Sequence, residues 1–154
     1  MNIRVLAVLV LMVVPSLASA QNASLPGAWE RVSIKGADGN LAQPQPPAAF
    51  LVMTADGFWS QTASPIGRAK INKPVKDLSR EELISRFTEV EGRRGTYTAV
   101  AGKLTRHNVS SGNPNDEGTD QVQMFTIDGD TLILTSPDPK SKAEVRFRRV
   151  KKST

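Results

Sequence analysis

The sequence predicts an all-β chain: eight antiparallel strands closed into a barrel, with one short helix between strands three and four. Three observations carry this. Short runs with period-two hydrophobic alternation recur along the chain. Several are joined by Gly-bearing turns of hairpin length, at Asp56-Gly57, Ala101-Gly102 and Asp128-Gly129-Asp130. There is also no cysteine, so an exported domain of this size is held by packing and hydrogen bonds alone, which suits a closed sheet better than a loop-rich scaffold. The densest stretch is Gly95 to Thr135, four runs and three turns, with the turn-formers SSGNPNDEGT as a surface loop between its two hairpins.

Residues 1–20 read as a secretory signal peptide. Arg4 lies in a short n-region, Val5 to Val14 form the apolar run, and Ala18-Ser19-Ala20 is the cleavage site. The run is about half the ~20 residues of a membrane span, so cleavage after Ala20 and a periplasmic or secreted location are expected, without stable membrane insertion. Removing these 20 residues from the 154 leaves 134, enough for one core. Residues 21–26 form a short lead, 27–150 the barrel and 151–154 a basic tail. Loss of Arg4 lowers the net charge from +5 to +4. The basic residues are not interleaved with stacking aromatics, so nucleic acid is not an expected partner.

Strand one is Gly27 to Lys35, with Val32 and Ile34 inward and Trp29 out of phase. Either a bulge separates them or Trp29 covers the barrel end, and a ring of that size favours the second. The proline-rich Gln43 to Pro47 cannot join a central strand. Ala49 to Ala55 and Phe58 to Ala63 are strands two and three. In the former Phe50 and Val52 oppose Leu51 and Met53, so both faces are apolar and both are expected to be covered. Ser64 to Asp77 is a basic loop. Ser79 and Glu82 form a capping box, and Leu83, Ile84, Phe87 and Val90 give a helix with one apolar stripe over Ser79 to Glu91, ended by Gly92. That stripe is expected to lie on the sheet or over a barrel mouth. Thr96 to Val100, Lys103 to Val109, Gln121 to Ile127, Thr131 to Thr135 and Ala143 to Val150 complete eight strands.

Trp29 followed by Val32, the Met53 to Gly57 hairpin, Gly95-Thr96-Tyr97, Pro114-Asn115 with Gly118-Thr119-Asp120-Gln121, then Phe125, Gly129-Asp130 with Leu132 and Leu134, and the terminal Phe147-Arg148-Arg149 together resemble the bacterial lipocalin-like domain family. The match spans Gly27 to Arg149. It departs from the family at Gln123 and Phe147, where similar domains carry a basic residue and an indole. The resemblance implies a calycin-type barrel, a small apolar ligand inside it, and Trp29 stacked under Arg148 or Arg149.

An eight-stranded barrel is either filled by side chains or holds one small ligand. The candidate ligand-binding residues are Phe50, Val52, Trp59, Tyr97, Leu104, His107, Gln121, Gln123 and Met124, with Phe125, Leu132 and Leu134 also placed inward. The expected partner is a small apolar or anionic amphipathic molecule, steered by the basic loop and gated by the helix. No cofactor is expected. His107 is the sole histidine, no G-x-S-x-G elbow exists, and cysteine chemistry is excluded by counting. Asn113 to Asp120 is oxygen-rich, but an EF-hand register puts Met124 where a bidentate Glu is required, so no metal site and no catalytic residue is assigned. A non-enzymatic ligand-binding barrel is the leading reading. The alternatives are an isomerase or cyclase using Tyr97 and His107 as an acid/base pair, and a periplasmic protein-interaction or inhibitor barrel.

Overall fold

The computed structural model describes residues 25–42, 48–65, 70, 72–88 and 90–151. The signal peptide, most of the lead, the proline run and part of the basic loop lie outside them. Eight strands follow: β1 (Gly27–Lys35), β2 (Ala48–Met53), β3 (Phe58–Ser64), β4 (Glu91–Val100), β5 (Lys103–Ser111), β6 (Asp120–Asp128), β7 (Thr131–Thr135) and β8 (Glu144–Arg149). The helix α1 (Arg80–Thr88) lies between β3 and β4. Each strand pairs antiparallel with the next, and β8 pairs with β1 to close the barrel. Closure gives each strand a neighbour on both sides.

The connections sort by end. The β2–β3, β4–β5 and β6–β7 turns are tight, and the long connections, including the one that carries α1, all lie at the opposite end. Ala101 and Gly102 have φ of 49° and 77°, a pair of left-handed residues whose twist matches the flanking strands. Gly57, with φ of 88°, turns the β2–β3 hairpin.

The tight end is filled. Leu25, Trp29, Leu51, Met53, Trp59, Ala99, Leu104, Phe125, Leu132, Leu134 and Phe147 form one buried cluster, with Tyr97, Ile127 and Val145 packed against it. Trp29 is fully buried and donates its indole N–H to the Leu25 carbonyl at 2.9 Å. The Arg149 guanidinium covers its ring at 4.0 Å, so the last-strand partner is Arg149 and not Arg148. The β1–β8 register also slips between Arg31 and Ser33. The bulge that the parity of Trp29 allowed is therefore present, and it turns Val32 outward to 54% exposure.

Several inward placements are corrected by strand parity. Phe50 and Val52 face outward at 41% and 39% exposure, and Leu51 and Met53 fill the core. Because both faces of β2 are apolar, its alternation carried no phase. Met124 is likewise outward and its neighbour Phe125 buried. The capping box forms, with the Glu82 carboxylate accepting the Ser79 N–H at 2.7 Å and the Ser79 hydroxyl accepting the Glu82 N–H at 3.2 Å. Yet α1 ends at Thr88, β4 already includes Glu91 and Gly92, and among the described residues the helix makes no extensive contact with any strand. Ile84, on its expected apolar stripe, is half exposed.

Candidate functional site

Above the apolar cluster, at the end with the long connections, the interior changes character. The inward positions of β5 run Leu104, Arg106, Asn108, and those of β6 run Gln121, Gln123, Phe125. Polar side chains on neighbouring strands thus meet at one level of the barrel. Arg106, Gln121 and Gln123, with Gln61 of β3, Arg31 of β1 and Arg93 of β4, line a cavity of about 150 Å³ together with the apolar Leu134, Val145 and Phe147.

Arg106 is the centre of this site. It is 3% exposed. Its Nη1 donates to Gln61 Oε1 at 3.2 Å, and its Nη2 donates to Gln121 Oε1 at 2.7 Å and Gln123 Oε1 at 2.6 Å. The guanidinium also lies 4.8 Å from the centroid of the Trp59 ring. Its Nε has no hydrogen-bond partner, and no carboxylate among the described residues bonds or ion-pairs with it. Burial, aided by the nearby Arg93 charge, lowers its pKa to about 10, which leaves it cationic at neutral pH. The other two arginines do have acidic neighbours. Arg93 Nη2 sits 3.2 Å from Asp116 Oδ2, and burial lowers the pKa of Arg31 against the opposing pull of the Glu91 charge. One buried positive charge is left with only neutral oxygens around it, an arrangement that costs several kcal/mol relative to water.

Of the nine candidate ligand-binding residues, Trp59, Leu104, Gln121 and Gln123 are interior and two of them, Gln121 and Gln123, line this cavity; Leu134, also placed inward from the sequence, lines it too. Trp59 lies beneath Arg106 and donates its indole N–H to the His107 carbonyl at 3.3 Å. Tyr97 is partly buried at the tight end, where its hydroxyl donates to the Thr54 carbonyl at 2.7 Å, and burial raises its pKa. His107 points into solvent, with Nδ1 2.8 Å from Asp120 Oδ1. Tyr97 pairs with Arg106 and Thr96 with His107, so Tyr97 and His107 project from opposite faces and cannot act as an acid/base pair. Phe50, Val52 and Met124 lie outside the barrel altogether. Val52 helps to line an apolar depression of about 360 Å³ on the outer face of β2 to β5, with Phe58 and Val109.

Gln61, Arg31, Arg93 and Arg106 were missed, since an arginine in a strand reads by default as solvent-facing. A signal existed: Leu104 and His107 are an odd number of residues apart and cannot share a face, so placing Leu104 inward puts Arg106 inward too. In the loop after β5, Asn113 Oδ1 accepts the Asn115 N–H and Glu117 Oε1 accepts the Ser111 N–H. Those oxygens shape the turn Pro114–Asp116.

No protein-family model matches the sequence, and no curated protein matches it. Among solved structures, the chain is similar to a lipocalin-like protein from Bacteroides uniformis, at 14% identity and a TM-score of 0.51, covering 82% of this chain and 98% of that one. It is also similar to an uncharacterized protein from Bacteroides eggerthii, at 13% identity and a TM-score of 0.50, covering 82% of this chain and 100% of the other. At such identities the likeness is one of fold. Together with the closed order of the eight strands, it establishes that this chain has the lipocalin-like barrel fold.

Proposed function

We propose that the chain is an exported, non-enzymatic binding protein that holds one small amphipathic molecule inside the barrel, at the end with the long connections. The observation that carries this reading is the mixed lining of the cavity. Polar side chains from β1, β3, β4, β5 and β6 share the lining of about 150 Å³ with Leu134, Val145 and Phe147. Apolar wall plus a few convergent polar groups is the general form of a small-molecule site. The volume suits a ligand of roughly ten heavy atoms, and a long fatty-acid chain has no room because the tight end is packed with Trp29, Leu51, Met53 and Phe125. Export rests on the signal-peptide pattern of residues 1–20.

The test is a methyl-resolved NMR screen of the purified protein with a fragment library. Binders should shift the Leu134 and Val145 methyls before those of the outward Val52 and Val109. A library that moves no interior methyl would sink the proposal. N-terminal sequencing of the protein recovered from a secreting host should begin at Gln21, and recovery of an intact Met1 terminus would remove the export claim.

A further inference from the structure

Resting on that reading, we propose that the interior site is selective for a small carboxylate, because Arg106 is buried there without a counter-ion and the polar side chains of the lining are guanidinium and amide groups. A guanidinium has donors only. Gln61, Gln121 and Gln123 must therefore each present an amide oxygen to Arg106, as the 3.2, 2.7 and 2.6 Å bonds show. Their amide orientations are fixed by this chemistry and not left to choice. With each of these oxygens already accepting from Arg106, the three NH₂ groups are the amide donors left for a ligand. Arg31 and Arg93 bring two more guanidinium groups to the same lining. The lining is thus richer in cationic and amide N–H groups than in acceptors, so it suits an anion better than an amine.

Charge points the same way. Arg106 carries its positive charge in a place 3% exposed, with no anion beside it. A bound carboxylate would supply that counter-ion and reach the amide donors, and the gain is large because the site excludes water. Leu134, Val145 and Phe147 in the same lining favour a carboxylate with a compact apolar body, aromatic or branched, over acetate or a polar acid.

Benzoate, benzamide and benzamidine share one shape and carry charges of −1, 0 and +1. Titrated into the purified protein and read by calorimetry and by the Leu134 and Val145 methyl shifts, benzoate should bind at least about tenfold tighter than benzamide, and benzamidine should not bind. Gln121→Glu places a carboxylate against Arg106 and should weaken benzoate at least about thirtyfold, without loss of fold. Arg106→Gln should do the same, and Gln121→Glu decides the matter if Arg106→Gln does not fold. Equal binding of benzamide and benzoate at the interior methyls would overturn the carboxylate inference and leave the interior-ligand reading standing. Preference for benzamidine, no binding by any of the three, or undiminished benzoate binding by Gln121→Glu would each overturn it as well.

Discussion

The Arg149 guanidinium lies 4.0 Å from the centroid of the Trp29 ring and donates through Nη1 to the Pro26 carbonyl at 3.0 Å. Two residues from the first and last strands, 120 positions apart in the sequence numbering, so cover the filled end of the barrel and tie the lead to it. A cation over an indole and a bond to a carbonyl together contribute about 1–3 kcal/mol. Arg149→Met should lower the urea unfolding free energy by that amount with an unchanged m-value. Arg148→Met should shift it by less than about 0.5 kcal/mol, because Arg148 is exposed and reaches only Glu30, at 3.3 Å.

Gly95 is required by backbone proximity. The β4–β5 register slips between Arg94 and Gly95, and a Cβ at Gly95 would overlap the His107 carbonyl oxygen. Trp59 is paired with Gly95 across β3 and β4 and donates to that same carbonyl, so the overlap falls on main chain that the Trp59 side chain already holds. Gly95→Ala is expected to cost about 3 kcal/mol, seen as a drop in the urea midpoint. A change below 1 kcal/mol, by the same measure, would show that the bulge can shift to accept a methyl group.

Ala101 occupies the first left-handed position of the β4–β5 turn, with φ of 49°, a conformation that costs a residue with a Cβ about 1 kcal/mol. Asn tolerates it better and is preferred there before Gly. Ala101→Asn should stabilise the protein by roughly 0.5–1 kcal/mol, readable as a higher melting temperature. It changes nothing in the interior.

These positions also show where sequence reasoning reached and where it stopped. The bounds of β1 and β7 are those expected from the sequence, although the alternation holds only in β7, where Leu132 and Leu134 are buried and the Asp128-Gly129-Asp130 turn precedes the strand. The phase of β2 was not readable, since Phe50, Leu51, Val52 and Met53 are all apolar and only packing decides which pair is buried. The bulge at Arg31/Ser33 shifts the inward set of β1 by one residue midway along the strand, and no local composition marks it; the irregularity at Arg94/Gly95 carries its extra residue on β5, and Gly95 is its one mark. Gln121 and Gln123 are ligand-binding candidates in the sequence, but their bonds to Arg106 are not legible there, because Gln61, Arg106 and the two glutamines meet only in the closed barrel.

Acid should loosen the seam between β1 and β8. The Arg146 guanidinium, bonded to the Glu144 carboxylate at 2.7 Å, and then Lys35 across the seam at 3.1 Å, hold the Glu144 pKa below its ordinary 4.5. A carboxyl whose folded value is depressed binds fewer protons when folded. Its stabilising contribution is therefore complete above about 4.5 and is lost as the pH falls through the folded value. Melting temperature measured from pH 7 to pH 3 should fall more steeply for the wild type than for Glu144→Gln. Parallel curves would place the acid sensitivity elsewhere.

On the carboxylate proposal, Asp116 is the acidic side chain with which a ligand anion would compete for Arg93. It stands on the turn Pro114–Asp116, and its Oδ2 lies 3.2 Å from Arg93 Nη2 but makes no hydrogen bond. The pair is held by charge without an aligned bond, so Arg93 gives up little by turning to a stronger acceptor. Asp116→Asn removes both the rival for Arg93 and a negative charge that repels an incoming carboxylate. Benzoate should bind roughly three- to tenfold tighter, and the advantage should shrink as sodium chloride screens the lost repulsion. A weaker benzoate complex in Asp116→Asn would show the opposite: that Asp116 serves to hold Arg93 in place for the ligand, and the acidic residue would then belong to the site as its positioning group.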